Sequence, residues 1–460
     1  MSALLVRSRI LGSLALLGAA LVTRSAQADG PHAPDPPTRV DTEKKPIPTY
    51  DGRPPAEADA GDVALWAPRV LLYPFYLFAE YVVRRPVGAL VTWAERKDVP
   101  RILYDFFAFG PDHKAGFAPI VLIDFGFSPS AGIYFFWDDA IVKGQDLSIH
   151  GSTWGEDWVA ASIRDRYRWG NEAVTLRLLG TSRPDNAFFG TGPRSVEGDR
   201  SRYGATRLES SLTYENHFTK KSVFEAGFAV RALDFRDSHF NRDPSVSDSV
   251  AAGRFAQPEG FGPGYVAGES RSRLALDSRG DGPNAARSGI HMEMEGAAGE
   301  APGSARYGWA RYDTIVRGMY DLNGHDRVVA LSAGAFFADP LGGAKVPFTE
   351  QVSLGGLGPM PGFVPGRLYG RSAFVATLKY EWPVWAFLHG TVQASAGNVF
   401  GSHLDDAKPS LLRASGAIGI SQIGDTDNPV QVLVGAGTET FAHGGQLDSI
   451  RILVGTTHGY

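Results

Sequence analysis

The sequence predicts an all-β fold: a transmembrane antiparallel β-barrel of about sixteen strands, preceded by a short N-terminal helical segment. Three observations predict it. The first is alternation. In the segment from Phe374 to Trp382, Phe374, Ala376, Leu378, Tyr380 and Trp382 share one face, and Val375, Thr377, Lys379 and Glu381 share the other. An oily face backed by a charged one suits a strand with lipid outside and water inside. The second is the lack of a spanning helix beyond the N-terminus. The best candidate, Val70 to Ala79, contains Pro74 and reaches about half of the ~20 apolar residues needed. A chain integral to a membrane must then close a barrel, because an open sheet leaves backbone groups unpaired in lipid. The third is loop asymmetry: long Gly/Asp/Ser connections at 183–203, 235–267 and 339–370 alternate with short turns.

Residues 1–28 read as a secretory signal. Arg7 and Arg9 form the positive start, Ile10 to Val22 is apolar, and Ala26-Gln27-Ala28 offers small residues for cleavage. Residues 29–62 form a linker rich in Pro, Asp, Lys and Gly, with almost no apolar periodicity. Residues 63–115 are expected to be helical but interrupted, since Pro68, Pro74 and Pro86 each end or kink a helix. The stretch 63–97 carries a heavy aromatic load (Trp66, Tyr73, Phe75, Tyr76, Phe78, Tyr81, Trp93) together with Arg69, Arg84, Arg85 and Arg96. Such a segment fits a cap on the periplasmic end, an interfacial helix pair or a plug in the lumen.

The barrel is assigned to 116–460, with sixteen strand-length segments. Val174, Leu176 and Leu178 share a face, as do Val329, Leu331, Ala333, Ala335 and Phe337. In the final strand Ile450, Ile452 and Val454 alternate against Arg451 and Gly455. The opposite faces are polar: Arg164, Arg166 and Arg168; Arg207, Glu209, Ser211, Thr213 and Glu215; His291, Glu293 and Glu295. In a soluble sandwich these would face solvent, whereas in a barrel they line the lumen.

Composition narrows the chemistry. Cysteine is absent, so no disulfide, thiolate nucleophile or Cys-based metal site is available. Losing Arg7, Arg9 and Arg24 with the signal takes the formal charge from −5 to −8, a poor balance for binding nucleic acid. No Gly-x-Ser-x-Gly elbow, phosphate-binding Walker loop or His-Glu-x-x-His is present. The histidines are scattered, and the acid pair Glu293 and Glu295 fits a wet pore lining better than acid–base work. The chain is therefore not expected to be an enzyme, nor to carry a metal or cofactor.

Local motifs resemble the BamA/TamA outer-membrane assembly superfamily, the bacterial surface antigen proteins. Leu276-Asp277-Ser278-Arg279, followed by Pro283 and Gly289, is similar to that family's turn between the eighth and ninth strands. Gly355-Gly356 and Gly362-Phe363 resemble its lumen loop, with Pro361 where the family carries arginine. Ala394-Ser395-Ala396-Gly397-Asn398-Val399-Phe400 resembles its thirteenth strand, with Ser395 where an acid usually stands. Leu412-Arg413-Ala414-Ser415-Gly416 also fits the pattern. Gly455, His458 and Tyr460 resemble the C-terminal barrel-assembly signal, with His458 replacing one aromatic. Useful motifs cover about 265–460, and strand pattern alone covers 116–264.

The resemblance implies a lumen loop whose arginine pairs with an acid on the inner wall. Here Pro361 and Ser395 remove both charges, and a buried charge without its partner is costly, so the two departures read as one coupled change. The loop is then expected to enter the lumen, held by Phe363 and neutral hydrogen bonds, with Arg367 or Arg371 as the charged anchor. Family members usually carry POTRA modules, and 29–115 shows no β-α-α-β-β order for one. The expected role is assembly, insertion or translocation at the bacterial outer membrane. The expected partners are outer-membrane lipids, unfolded outer-membrane proteins and other assembly factors. The alternative is a POTRA-less barrel serving passive transport or structure.

Overall fold

The computed structural model describes residues 108–455 except 123–125, 263, 281–287, 304–305, 323, 325, 386–387 and 423–430, together with scattered positions from 73 to 107. The expected signal, the linker, Pro283, His458 and Tyr460 lie outside the described residues. Tyr73, Leu77, Arg85, Ala89 and Trp93 are helical. There the Arg85 guanidinium lies 4.3 Å from the Tyr81 ring centre.

A two-residue strand, β1 (Ala108–Phe109), precedes the wall. The wall begins with β2 (Ala115–Leu122), β3 (Ser130–Asp138), β4 (Gln145–Thr153), β5 (Val159–Trp169) and β6 (Glu172–Phe188). It continues with β7 (Ser201–Asn216), β8 (Val223–Asp237), β9 (Tyr265–Asp277), β10 (Gly289–Ala301), β11 (Tyr307–Asp321) and β12 (Val328–Pro340). It ends with β15 (Ser372–Trp385), β16 (Leu388–Phe400), β17 (Arg413–Gln422), β18 (Gln431–Thr438) and β19 (Leu447–Gly455). The remaining pair, β13 (Val352–Leu354) and β14 (Leu368–Gly370), forms a separate hairpin inside the connection from β12 to β15. One short helix, α1 (Val246–Ala251), sits in the connection from β8 to β9, closed by a capping box between Ser245 and Asp248.

Each wall strand pairs antiparallel with the next, so the chain builds an up-and-down transmembrane barrel of the sixteen expected strands. The strands differ from the expected bounds by a few residues. The largest difference is β6, which runs through Pro184 to Phe188 rather than stopping at 182. Its register with β7 shifts between Arg183 and Asn186, and such an irregularity gives a proline room without breaking a ladder bond. The connections therefore shorten to 189–200 and 238–264.

The two faces separate as alternation requires. Leu176, Leu178, Leu331, Leu378 and Ile450 are exposed on the outside, where acyl chains would cover them. The inner face carries the polar positions, including Ser148, His150, Glu209, Arg231, Glu269, His291 and Arg451, all buried. The long connections at 189–200, 238–264, 341–371 and 401–412 share one rim.

The sheet order sets β19 beside β2, the first and last wall strands. Among the described residues no residue-by-residue register joins them. β2 instead lies between β3 and β1: Gly116 faces Phe136 on one side and Ala108 on the other. Two residues upstream of the barrel thus cover the outer edge of β2 at its short-turn end. Phe107 and Phe117 stack edge-to-face there, 5.5 Å apart.

Candidate functional site: a loop folded into the barrel

The connection from β12 to β15 does not stay outside. Its apolar residues Leu354, Met360, Phe363 and Leu368 are fully buried and pack with Trp309, Val375 and Val399 of the wall. The local sequence allows the fold-back. Gly355 and Gly356 take positive φ (120° and 74°), conformations that side chains rarely adopt. A Cβ on Gly362 would lie 2.1 Å from the Ala436 carbonyl oxygen, so only glycine lets the tip touch β18.

The tip is held by neutral bonds. Ser395 Oγ donates to the Pro359 carbonyl at 2.7 Å, the Gly362 amide donates to Ser415 Oγ at 2.8 Å, and Ser449 Oγ donates to the Gly362 carbonyl at 2.6 Å. Arg451 adds a bond from Nη1 to the Phe363 carbonyl at 2.5 Å. Pro361 itself rests on β18, its carbonyl oxygen 2.8 Å from where a Cβ of Gly435 would stand. The Phe363 ring fills the space that a side chain on Gly437 would need. Ser395, Ser415, Gly437 and Ser449 belong to β16, β17, β18 and β19, so one loop tip binds the last strands of the wall.

A charged anchor follows the tip. The Arg367 side chain is 1% exposed and reaches Asp448 at 3.0 Å, with Glu439 at 3.5 Å and Glu197 at 3.4 Å. It also donates to Ser195 Oγ at 2.8 Å. Arg413, also buried, pairs with Glu439 at 2.8 Å and donates to the Ser195 and Pro193 carbonyls. Burial pushes the Glu439 carboxyl up. The hydrogen bond with Asp448 and the guanidiniums of Arg413 and Arg367 more than offset this, holding it below the usual carboxylate range. Arg371 does other work: it bonds the Ala338 carbonyl and Asp339 at the loop's exit.

The loop's base has a second charged anchor that the sequence pattern did not flag. Glu350, 1% exposed, lies 3.2 Å from Arg231 of β8 and 3.5 Å from Arg311 of β11, and accepts from the Tyr265 hydroxyl at 2.8 Å. Glu269 of β9 joins the same group through Arg231, Arg311 and Trp309 Nε1. Arg231, Glu269 and Arg311 sit on wall strands with alternating faces, although the sequence reading did not name them, whereas Glu350 sits in an aperiodic loop where no pattern points to it.

The other motif residues lie elsewhere. Asp277 accepts from the Arg279 amide and Nε at 2.9 Å, and both side chains are buried at the β9–β10 turn. Gly289 (φ 149°) backs onto Arg279, whose Cγ would stand 3.0 Å from an added Cβ. Gly455 ends β19. The lumen loop and Ser395 come together; the Asp277–Arg279 turn is separate, at the opposite rim. Glu293 pairs with Arg273 and His291 rather than standing free as an acid.

This architecture has a close match in overall course. The chain is similar to BamA from Haemophilus ducreyi lacking POTRA domains 1–3, with TM-score 0.52 at 15% identity over 75% of this chain and 70% of that one. The chain folds as a BamA-like barrel. It is also similar to CdiB from Acinetobacter baumannii, with TM-score 0.47 at 11% identity over 74% of this chain and 59% of that one. No family model and no curated relative matches the sequence. In this BamA-like barrel the inward loop is fixed at its base by Glu350, at its tip by serines, and beyond the tip by Arg367.

Proposed function

We propose that the BamA-like barrel resides in the bacterial outer membrane and inserts or translocates polypeptide there, using the seam between β2 and β19. The observation that carries this reading is the edge of β2. Its neighbour in the sheet order is β19, yet among the described residues no residue-by-residue register joins the two, and Ala108 and Phe109 pair with Gly116 and Ala115 at its end. A seam paired this weakly can open, and an opened edge is a template on which another chain can add a strand. The lumen loop supports the same reading, because a plug bonded to β8, β9 and β11 at its base and to β16, β17 and β19 at its tip suits a gated machine better than a wide pore. Unfolded outer-membrane proteins are the proposed clients, with lipids and further assembly factors as partners. No enzymatic step and no cofactor are part of the proposal.

The test is depletion of the protein in its own cell. The reading expects unfolded outer-membrane proteins to accumulate in the periplasm. A second reading, a passive transport or structural barrel, draws on the neutral Ser395–Pro359 contact that replaces the charged lock of the resembled family. It expects unchanged porin levels with altered solute leakage, and that outcome would overturn the assembly role.

A further inference from the structure

The inner wall carries a cluster of cations that its own acids do not balance. Arg164 of β5 stands directly opposite Arg177 of β6 in the strand register. Like charges in that position repel. Neither has a carboxylate partner among the described residues. Arg207 and Arg271 complete the group, and both lean on one acid, Glu209. Arg177 lies within electrostatic reach of that same Glu209 and of Arg207, Arg164 and Arg271 as well.

Nearby acids are committed elsewhere. Asp146 pairs with Arg168, Glu215 with Arg166, Glu225 with Arg273, and Glu269 with Arg231 and Arg311. On the next inner-wall positions Glu293 and Glu295 flank Arg273. Four guanidiniums thus surround a single carboxylate on a wall facing the lumen.

We propose that this cluster is an anion site, and that its ligand is a small phosphate-type dianion. The planar donors of arginine match tetrahedral oxyanions in pairs, and two opposed forks give two such pairs. The ligand is a free solute and not a lipid headgroup. The strands turn Ile163, Leu176 and Leu178 to the lipid side, and the arginines occupy the opposite face. The site stands whether or not the barrel handles polypeptide clients.

The test uses the full chain refolded in detergent micelles, with sodium phosphate as the probe and sodium chloride at matched ionic strength as the control. The site predicts a rise in melting temperature that grows with the logarithm of phosphate concentration, above the response to chloride. It predicts phosphorus-31 line broadening that the barrel causes and excess phosphate reverses. Arg177→Gln and Arg164→Gln each weaken the apparent affinity roughly tenfold, the size of one charge-assisted bond. The same variants melt higher than the parent at low salt without phosphate, because each relieves the Arg164–Arg177 repulsion. A merely structural arginine would give the opposite sign. Equal responses to phosphate and chloride would overturn the site, as would variants that keep the parent's logarithmic rise or melt lower in the absence of phosphate. General stabilisation by excluded phosphate is linear and common to every variant, so it does not imitate this result.

Discussion

Removing the Arg367 anchor is the most direct probe of how the loop is held. Arg367→Met keeps most of the side-chain volume and deletes the guanidinium. It leaves Asp448, whose side chain is 2% exposed, without its 3.0 Å partner. Breaking a buried ion pair by removing one member typically destabilises by ~3–5 kcal/mol. Arg413 remains 4.0 Å from Asp448 and supplies a residual pairing, which places the expected loss at the lower end, about 3 kcal/mol. That is more than a hundredfold in the folding equilibrium. The assay is urea unfolding in detergent micelles, followed by tryptophan fluorescence. Adding Asp448→Leu to Arg367→Met removes the stranded carboxylate, so the double variant should recover most of the lost stability. A double-mutant cycle then gives a large coupling between the two sites. The reasoning is refuted if Arg367→Met lies within about 0.5 kcal/mol of the parent, the range of an ordinary surface change. It is refuted equally if the two losses simply add.

Further outcomes follow from the same geometry. Phe363→Ala empties a fully buried ring position and should cost ~3–5 kcal/mol in the same assay. Because the chain has no cysteine, a single Met360→Cys reports on the tip: it should resist maleimide in the parent, and Gly362→Ala should make it react at least ~10 times faster by driving the tip off the Ala436 carbonyl. The Glu439 carboxyl is held below its ordinary value of about 4.3, so its contribution is present above that pH and is lost as pH falls through the lower folded value. The stability difference between the parent and Glu439→Gln should therefore be constant at neutral pH and shrink below about pH 4; a difference that grows in acid would contradict the sign. Phe109 and Ala115 face each other, so Phe109→Cys with Ala115→Cys should form a disulfide that pins β1 to β2. Under the assembly reading, oxidation slows insertion of an unfolded barrel protein into proteoliposomes and reductant restores it; equal rates would count against use of that edge.

The wall was legible because lipid imposes a rule on every second side chain, and residues such as Leu178, Leu331 and Ile450 obey it. Strand ends were less legible. Nothing local says that β6 absorbs Pro184 in a bulge instead of stopping before it. At the candidate site, the absence of charge at Pro361 and Ser395 pointed to a tip held by neutral bonds; three of the contacts found there join a hydroxyl to the backbone, and Arg451 adds a guanidinium bond that this reading did not name. Arg367 could be nominated as an anchor from its nearness to the motif. Its partner Asp448 could not, since the pair spans 81 residues and depends on the wall curving round. Glu350 was invisible for the same reason, and it lies in a loop without periodicity. β1 escaped notice because two residues are too short to show alternation.

The bonds of the inward loop are unevenly distributed around the wall. Its base is tied to β8, β9 and β11 and its tip to β16 through β19, while among the described residues no hydrogen bond or ion pair joins it to β2, β3 or β5. If the wall parts beside β19, the two leaves are unequal. The leaf on the β19 side is riveted to the plug and stays with it. The leaf that begins at β2 is held less and is the one that can swing.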